Sequence, residues 1–247
     1  MNITHSNSLM PFWLEAKFDF LSVLRAPGFV LPSLLFPCVF YIFFGILFNH
    51  GNASSYLMVN YCVFGIMGPA LFNFGVNVAQ DKENGCLALK KLSPMPSIAY
   101  VLAKSSTALC FSAVITLLLF TLGLAFAEVS LSLSQWFQLF FVALLGTFPF
   151  CLLGLFLGLS VPSKGAPATV NLVYLPMSLC SGLWMPINLF PELLQQFAWI
   201  LPSYHLSQLG LDVIDASQGY PPSWHIGYLI VFSVLFIFMT SKQMQKQ

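Results

Sequence analysis

The side chains able to do chemistry are few in this chain, and their spacing limits what they can do. Among 247 residues there are eight acids, nine bases, four histidines and six cysteines. His5, His50, His205 and His225 are too scattered for a metal motif. Cys38, Cys62, Cys86, Cys110, Cys151 and Cys180 form no C-x-x-C pair, and most fall inside apolar runs. They read as small membrane-buried residues, neither a disulfide framework nor a metal site. The run Gly158-Leu159-Ser160-Val161-Pro162-Ser163-Lys164-Gly165 superficially resembles a phosphate loop. It lacks the second glycine and the Ser/Thr after lysine, so no nucleotide site is assigned to this chain. Ser181 and His205 are the one pair that an intramembrane protease or acyltransferase could use as nucleophile and base. No third group accompanies them. A channel, the other alternative, needs a polar pore stripe that the spans do not supply.

The charged chemistry concentrates in one stretch, Gln80 to Pro96. It holds two of the eight acids, Asp81 and Glu83, and three of the nine bases, Lys82, Lys90 and Lys91. Asn84-Gly85 can turn the chain and start a helix of about two turns, Cys86 to Leu92. Lys90 and Lys91 then sit where the helix dipole favours cations. Ser93-Pro94-Met95-Pro96 ends the helix. Leu87, Leu89 and Leu92 between the charges suit docking against a soluble partner. The alternative is a solvated connecting loop whose lysines serve only topology.

The elements that carry this stretch follow from composition. The chain is 58% hydrophobic and 7% charged, with mean hydropathy +0.84. A soluble domain carries about 25% charged residues, so this is an integral membrane protein. A net charge of +1 gives no reason to expect nucleic acid. At about 20 apolar residues per span the length admits about six helices in a single domain, 1–247. The expected fold is an all-α polytopic membrane protein.

In chain order, residues 9–26 form an amphipathic helix with Glu15, Asp19 and Ser22 on one face and Trp13, Phe20 and Leu24 on the other. Such a helix lies in the membrane surface. Spans are expected at about 29–48, 56–78, 98–126, 135–159, 167–185 and 224–240. Lys104, near the start of the third, can snorkel towards water. Residues 188–216 form two apolar pieces broken at Pro191 and Pro202, each too short to cross. They read as a re-entrant or interfacial hairpin on the outer side.

Six spans place both termini, the charged stretch and the Lys164 loop on one side. That side receives Lys17, Arg25, Lys82, Lys90, Lys91, Lys104, Lys164, Lys242 and Lys246, all nine bases. The other receives Glu128, Glu192, Asp212 and Asp215. The positive-inside rule then makes the lysine-bearing side cytoplasmic. No span carries an acid or arginine near its middle, where ion-coupled transporters hold their ions. The driving energy is therefore expected from elsewhere. Asn73 and Asn77, one helical turn apart, either line a substrate path or hydrogen-bond between helices; Asn171 and Tyr174 are similar. Gly65, Gly68, Gly154 and Gly158 suit close helix packing. Tyr204 and His205 read either as an outer gate or as an interfacial anchor.

Taken together the motifs resemble the permease subunit of a type-2 family ABC transporter. The charged segment matches at Glu83, Gly85, Leu87, Ser93 and Pro94, with Cys86 and Ala88 departing from the Thr and the acid that the family often has there. A second match is Ser181-Gly182-Leu183-Trp184-Met185-Pro186, then Phe190-Pro191, then Leu201-Pro202-Ser203-Tyr204-His205. The resemblance covers nearly the whole chain. It implies a homodimer of permeases in the bacterial inner membrane, among lipids, with two cytoplasmic ATPase subunits from another chain that hold ATP and magnesium. It also implies no cofactor on this chain, and an ATPase-docking segment that includes Asp81, Glu83, Gly85, Leu87, Leu89, Leu92 and Pro94. The apolar, Phe-rich interior favours a hydrophobic or amphipathic cargo: drug, lipid or glycan.

Overall fold

The computed structural model describes residues 9–48, 52–87, 89 and 97–245. Among these there is no strand. The helices are α1 (Leu9–Leu24), α2 (Pro27–Phe40, continued as a π-helix over Tyr41–Leu47), α3 (Asn52–Glu83), α4 (Ser97–Phe126), α5 (Leu133–Ser160), α6 (Ala166–Cys180), α7 (Glu192–Ala198), α8 (Pro202–Val213) and α9 (Pro222–Gln245). Five are long and apolar enough to cross a membrane: α2 with its π extension, α3, α4, α5 and α9. The protein is a polytopic all-α membrane protein.

The span expected at 167–185 stops short. α6 ends at Cys180 after 15 residues, about 22 Å of helix against a hydrocarbon core of about 30 Å. Gly182 takes φ +78° just beyond it, a conformation that glycine adopts without strain and that ends a helix. Pro186 then leads into a single 3-10 turn, Ile187–Leu189. The hairpin expected at 188–216 is α7 and α8, broken at Pro191 and Pro202 as the prolines require.

α3 is the axis of the bundle. Its apolar window is 83% buried, against 17–56% for the other long helices. α5 crosses it closely because Gly154 and Gly158 have no side chain. A Cβ at Gly158 would lie 2.6 Å from the Phe74 carbonyl oxygen and 2.9 Å from that of Gly75. Gly65 is similarly tight against Ile115, whereas Gly68 has nothing nearer than 3.7 Å and is not a close-packing position. At Gly45 the π stretch leaves room for the Tyr41 ring, which a Cβ would meet at 2.3 Å.

Contacts at helix ends sort the chain into two ends. Lys82 ties the end of α3 to the end of α5, and Lys104 ties the start of α4 to α1. At the far end Gln135 of α5 donates to the Val213 carbonyl of α8, and Tyr228 of α9 donates to the Ile200 carbonyl. α9 runs back along α5, with Phe236 against Phe156 at 5.5 Å, so Lys242 lies towards the charged end.

Candidate functional site: the charged end and the α2–α3–α6 cleft

At the charged end an ion cluster joins three helices. Lys104 Nζ lies 2.7 Å from Asp19 Oδ1 and 3.4 Å from Asp81 Oδ2. The side chains of Lys104 and Asp19 are 4% and 8% exposed, and that of Asp81 is 28% exposed. Tyr100 donates its hydroxyl to Asp81 at 2.6 Å. Asn73 donates to Asp19 at 3.4 Å and to the Lys104 carbonyl at 3.2 Å, and accepts from Asn77 at 2.8 Å.

Lys104 therefore does not snorkel to water. The carboxylates of Asp19 and Asp81 beside its amine make burial tolerable. The acidic face of α1 points into the bundle, and Trp13 and Phe18 point outward, 68% and 65% exposed. α1 rests on α4 through Phe20 and Phe111, 5.9 Å apart. Asn73 hydrogen-bonds between helices, to Asp19 of α1 and the Lys104 carbonyl of α4, whereas Asn77 donates to Asn73 within α3.

The charged stretch begins inside this cluster. Lys82 Nζ donates to the carbonyls of Leu159 and Val161 at 2.8 and 3.0 Å, capping α5. Glu83 accepts from the backbone N–H and the hydroxyl of Ser163. The 161–165 loop is thus fastened to the segment's first residues. Gly85 then turns the chain at φ +74°, and Cys86, Leu87 and Leu89 resume helix. Leu87 packs against the bundle's own core, while Leu89 is 68% exposed. Of the leucines on the described part, only Leu89 is free to meet a partner. Leu92 and Pro94 lie outside the described residues.

A second feature opens on one side of the bundle. A cleft of about 310 Å³ lies between α2, α3 and α6, lined by Phe29, Ser33, Phe36, Phe72, Asn171 and Tyr174, among others. Tyr174 stacks on Phe64 at 5.1 Å and 13°, and donates to the Phe64 carbonyl at 3.3 Å. Asn171 is exposed at the mouth, beside Leu172 and Leu175, which are 74% and 40% exposed. Asn171 and Tyr174 are thus brought together, away from Asn73 and Asn77.

At the far end Tyr204 and His205 are both buried. Ser181 donates to the Met177 carbonyl, and His205 bonds to His225 and the Trp199 carbonyl. The proposed nucleophile and base therefore do not hydrogen-bond to each other. Among the described residues no three His, Cys, Asp or Glu side chains could hold a metal.

Sequence reasoning missed two groupings: the ion cluster and the His205–His225 pair. A signal existed for the first. Lys104 lies inside an apolar helix and so needs a partner, and Asp19 shares with Glu15 the acidic face of α1 that could supply one.

The fold and the fastened charged segment define a polytopic helical membrane protein, and its family makes it a membrane transport subunit. The chain belongs to the ABC-2 type transporter family, whose model matches residues 11–214. It is similar to the "Putative transport permease YvfS" of Bacillus subtilis (strain 168), 28% identical over 231 residues, which cover 91% of this chain and 93% of that one.

Proposed function

We propose that this chain is the membrane subunit of an ATP-driven exporter. Two copies would pair, and each would engage a cytoplasmic ATPase subunit made by another chain. The cargo is hydrophobic or amphipathic. The observation that carries the reading is the ion cluster, which joins α1, the root of the charged segment and the foot of α4. A push on the segment by a closing ATPase reaches Asp81, then Lys104, and so both α1 and a membrane span. Motion of α3 is also passed to α5 through the Lys82 cap.

The cleft supports the cargo class. Its walls are aromatic and aliphatic, with Asn171 as a polar point at the mouth. An exposed amide beside exposed leucines is costly in lipid, which favours a second copy covering this face. On this reading Asn171 and Tyr174 line the path, and Tyr204 and His205 belong to its closed outer end. The lysine-rich end faces the cytoplasm of a bacterial inner membrane, and ATP and magnesium bind in the ATPase.

The test is co-purification with an ATPase encoded beside this gene. Leu89→Asp removes an exposed leucine from the proposed interface. Burial of one leucine contributes roughly 2–3 kcal/mol, so ATPase recovery should fall about ten- to a hundredfold. The size-exclusion profile of the permease should be unchanged. Full recovery of the ATPase with this variant overturns the docking assignment.

A further inference from the structure

The far end of the bundle holds a pair of buried titratable groups, and the transport reading gives their pairing no part. His205 on α8 and His225 at the start of α9 are each 1% exposed. They face each other, Nδ1 to Nδ1, at 2.8 Å. At that distance one nitrogen donates and the other accepts. His205 Nε2 lies 2.9 Å from the Trp199 carbonyl oxygen. A carbonyl only accepts, so Nε2 of His205 carries a hydrogen. In the neutral ring its Nδ1 is then the acceptor, and the shared hydrogen belongs to Nδ1 of His225. That leaves Nε2 of His225 a buried lone pair that no donor meets among the described residues, while the Tyr220 carbonyl and Asp212 beside the ring favour its protonated form. Such an atom is costly to bury, and it is a basic site open to a proton.

The pair closes a seam. Tyr228 stacks on His205 at 3.8 Å and 17°, and its hydroxyl holds the Ile200 carbonyl. Trp199 lies 6.5 Å from His225 at 27°. We propose that the His205–His225 pair is a proton-operated latch fastening the turn between α7 and α8 to the last helix.

The steps follow from the hydrogens. A first proton enters at Nε2 of His225. The Nδ1–H···Nδ1 bond survives and becomes charge-assisted. A second proton must go to Nδ1 of His205. Both facing nitrogens then carry hydrogens, the bond is lost, and two cations repel across the same gap.

The surroundings offer little to hold that second charge. Facing groups are Tyr204 and Asp212 from α8, Tyr56 of α3 beyond Tyr204, Tyr220 from the preceding loop and Tyr228 from α9. Only Asp212 is an acid. α5, which packs against both helices, contributes no charged residue. Burial independently pushes His205 down to about 4, with the neighbouring His225 adding to it and the Trp199 carbonyl opposing. The latch therefore stays shut at neutral pH and opens in acid.

The test uses the full chain in lipid nanodiscs with histidines selectively labelled with nitrogen-15. Four histidines give a resolvable spectrum. At neutral pH His205 should be the Nε2–H tautomer and His225 the Nδ1–H tautomer. On acidification His225 should charge before His205. Hydrogen exchange of the 199–205 backbone, corrected for its intrinsic pH dependence, should speed up at least tenfold when the second proton enters. His225→Asn and His225→Phe should each remove that step. Identical tautomers, independent titration at ordinary histidine values, or an exchange rate indifferent to the second proton would overturn the latch. The tautomer measurement is made on the unmodified protein, so it decides even where a variant fails to fold. It needs neither ATPase nor cargo, so it is independent of the exporter reading.

Discussion

Replacing Lys104 by methionine keeps the length of the side chain and removes its charge. Asp19 would then be a carboxylate 8% exposed with no cation beside it among the described residues. At 2.7 Å and an effective dielectric of about 20 the lost attraction is about 6 kcal/mol. The desolvation of both ions, already spent, takes part of that back. Breaking a buried pair by removing one partner costs about 3–5 kcal/mol in measured cases. Asp81 contributes less, being 28% exposed and also held by Tyr100. For a chain of this size about 2–4 °C of Tm goes with each kcal/mol, so Lys104→Met should lower the melting temperature by at least about 6 °C. Asp19→Asn keeps the shape and leaves Lys104 the 3.4 Å contact to Asp81, so its cost should be roughly half. With both changed, no orphaned charge remains at that pair, and the loss should fall short of the sum by about 1–3 kcal/mol. The assay is thermal unfolding in nanodiscs, followed by intrinsic fluorescence, with size exclusion as a control. Strict additivity of the two changes, or a melting temperature unmoved by Lys104→Met, would refute the buried cluster.

Gly158→Ala should cost about 1–3 kcal/mol, because its new methyl would meet backbone oxygen at 2.6 Å, while Gly68→Ala, with 3.7 Å to spare, should be near neutral; comparable melting temperatures for the two would contradict the close α3–α5 crossing. Burial holds His205 at about 4, below its ordinary 6.5, so the unfolded chain takes up that proton first; its share of stability is full above about pH 6.5 and declines as pH falls towards 4. His205→Gln should flatten that window in a melting-temperature profile, and an unchanged slope would count against it. An impermeant thiol reagent should label Ser130→Cys from outside in a background without native cysteines, and reach Ser93→Cys only after the membrane is opened; the reverse pattern would overturn the cytoplasmic placement of the lysines.

Much of the fold was legible because apolar runs and prolines act locally. The ends of α2 taken with its π extension, and those of α4 and α5, lie within two residues of where hydropathy and breakers put them. α6 was misjudged because Leu183, Trp184 and Met185 are apolar without being helical, and hydropathy does not register the left-handed turn at Gly182. The charged segment announced itself by composition, and Gly85 by the turn it had to make. The ion cluster did not, since Asp19 and Lys104 are 85 positions apart and neither says which way it points. The pairing of His205 with His225 depends on how a proline-broken hairpin folds back, which residue periodicity does not encode. Leu87 and Leu89 look alike in sequence and differ only by the helix face each occupies.

The inward-facing acid on α1 also sets an order of events in time. Asp19 leaves the ribosome 85 residues before the lysine it will pair with. At a synthesis rate of about 5–20 residues per second it waits roughly 4–17 s for that partner. During this interval α1 lacks α4, the helix it chiefly rests on, and its carboxylates must stay in water at the membrane surface. Docking of the first helix is therefore a late step in biogenesis, triggered by the arrival of the fourth. A pause or truncation between Asp19 and Lys104 leaves an undocked helix with an exposed apolar face, which a quality-control protease can seize.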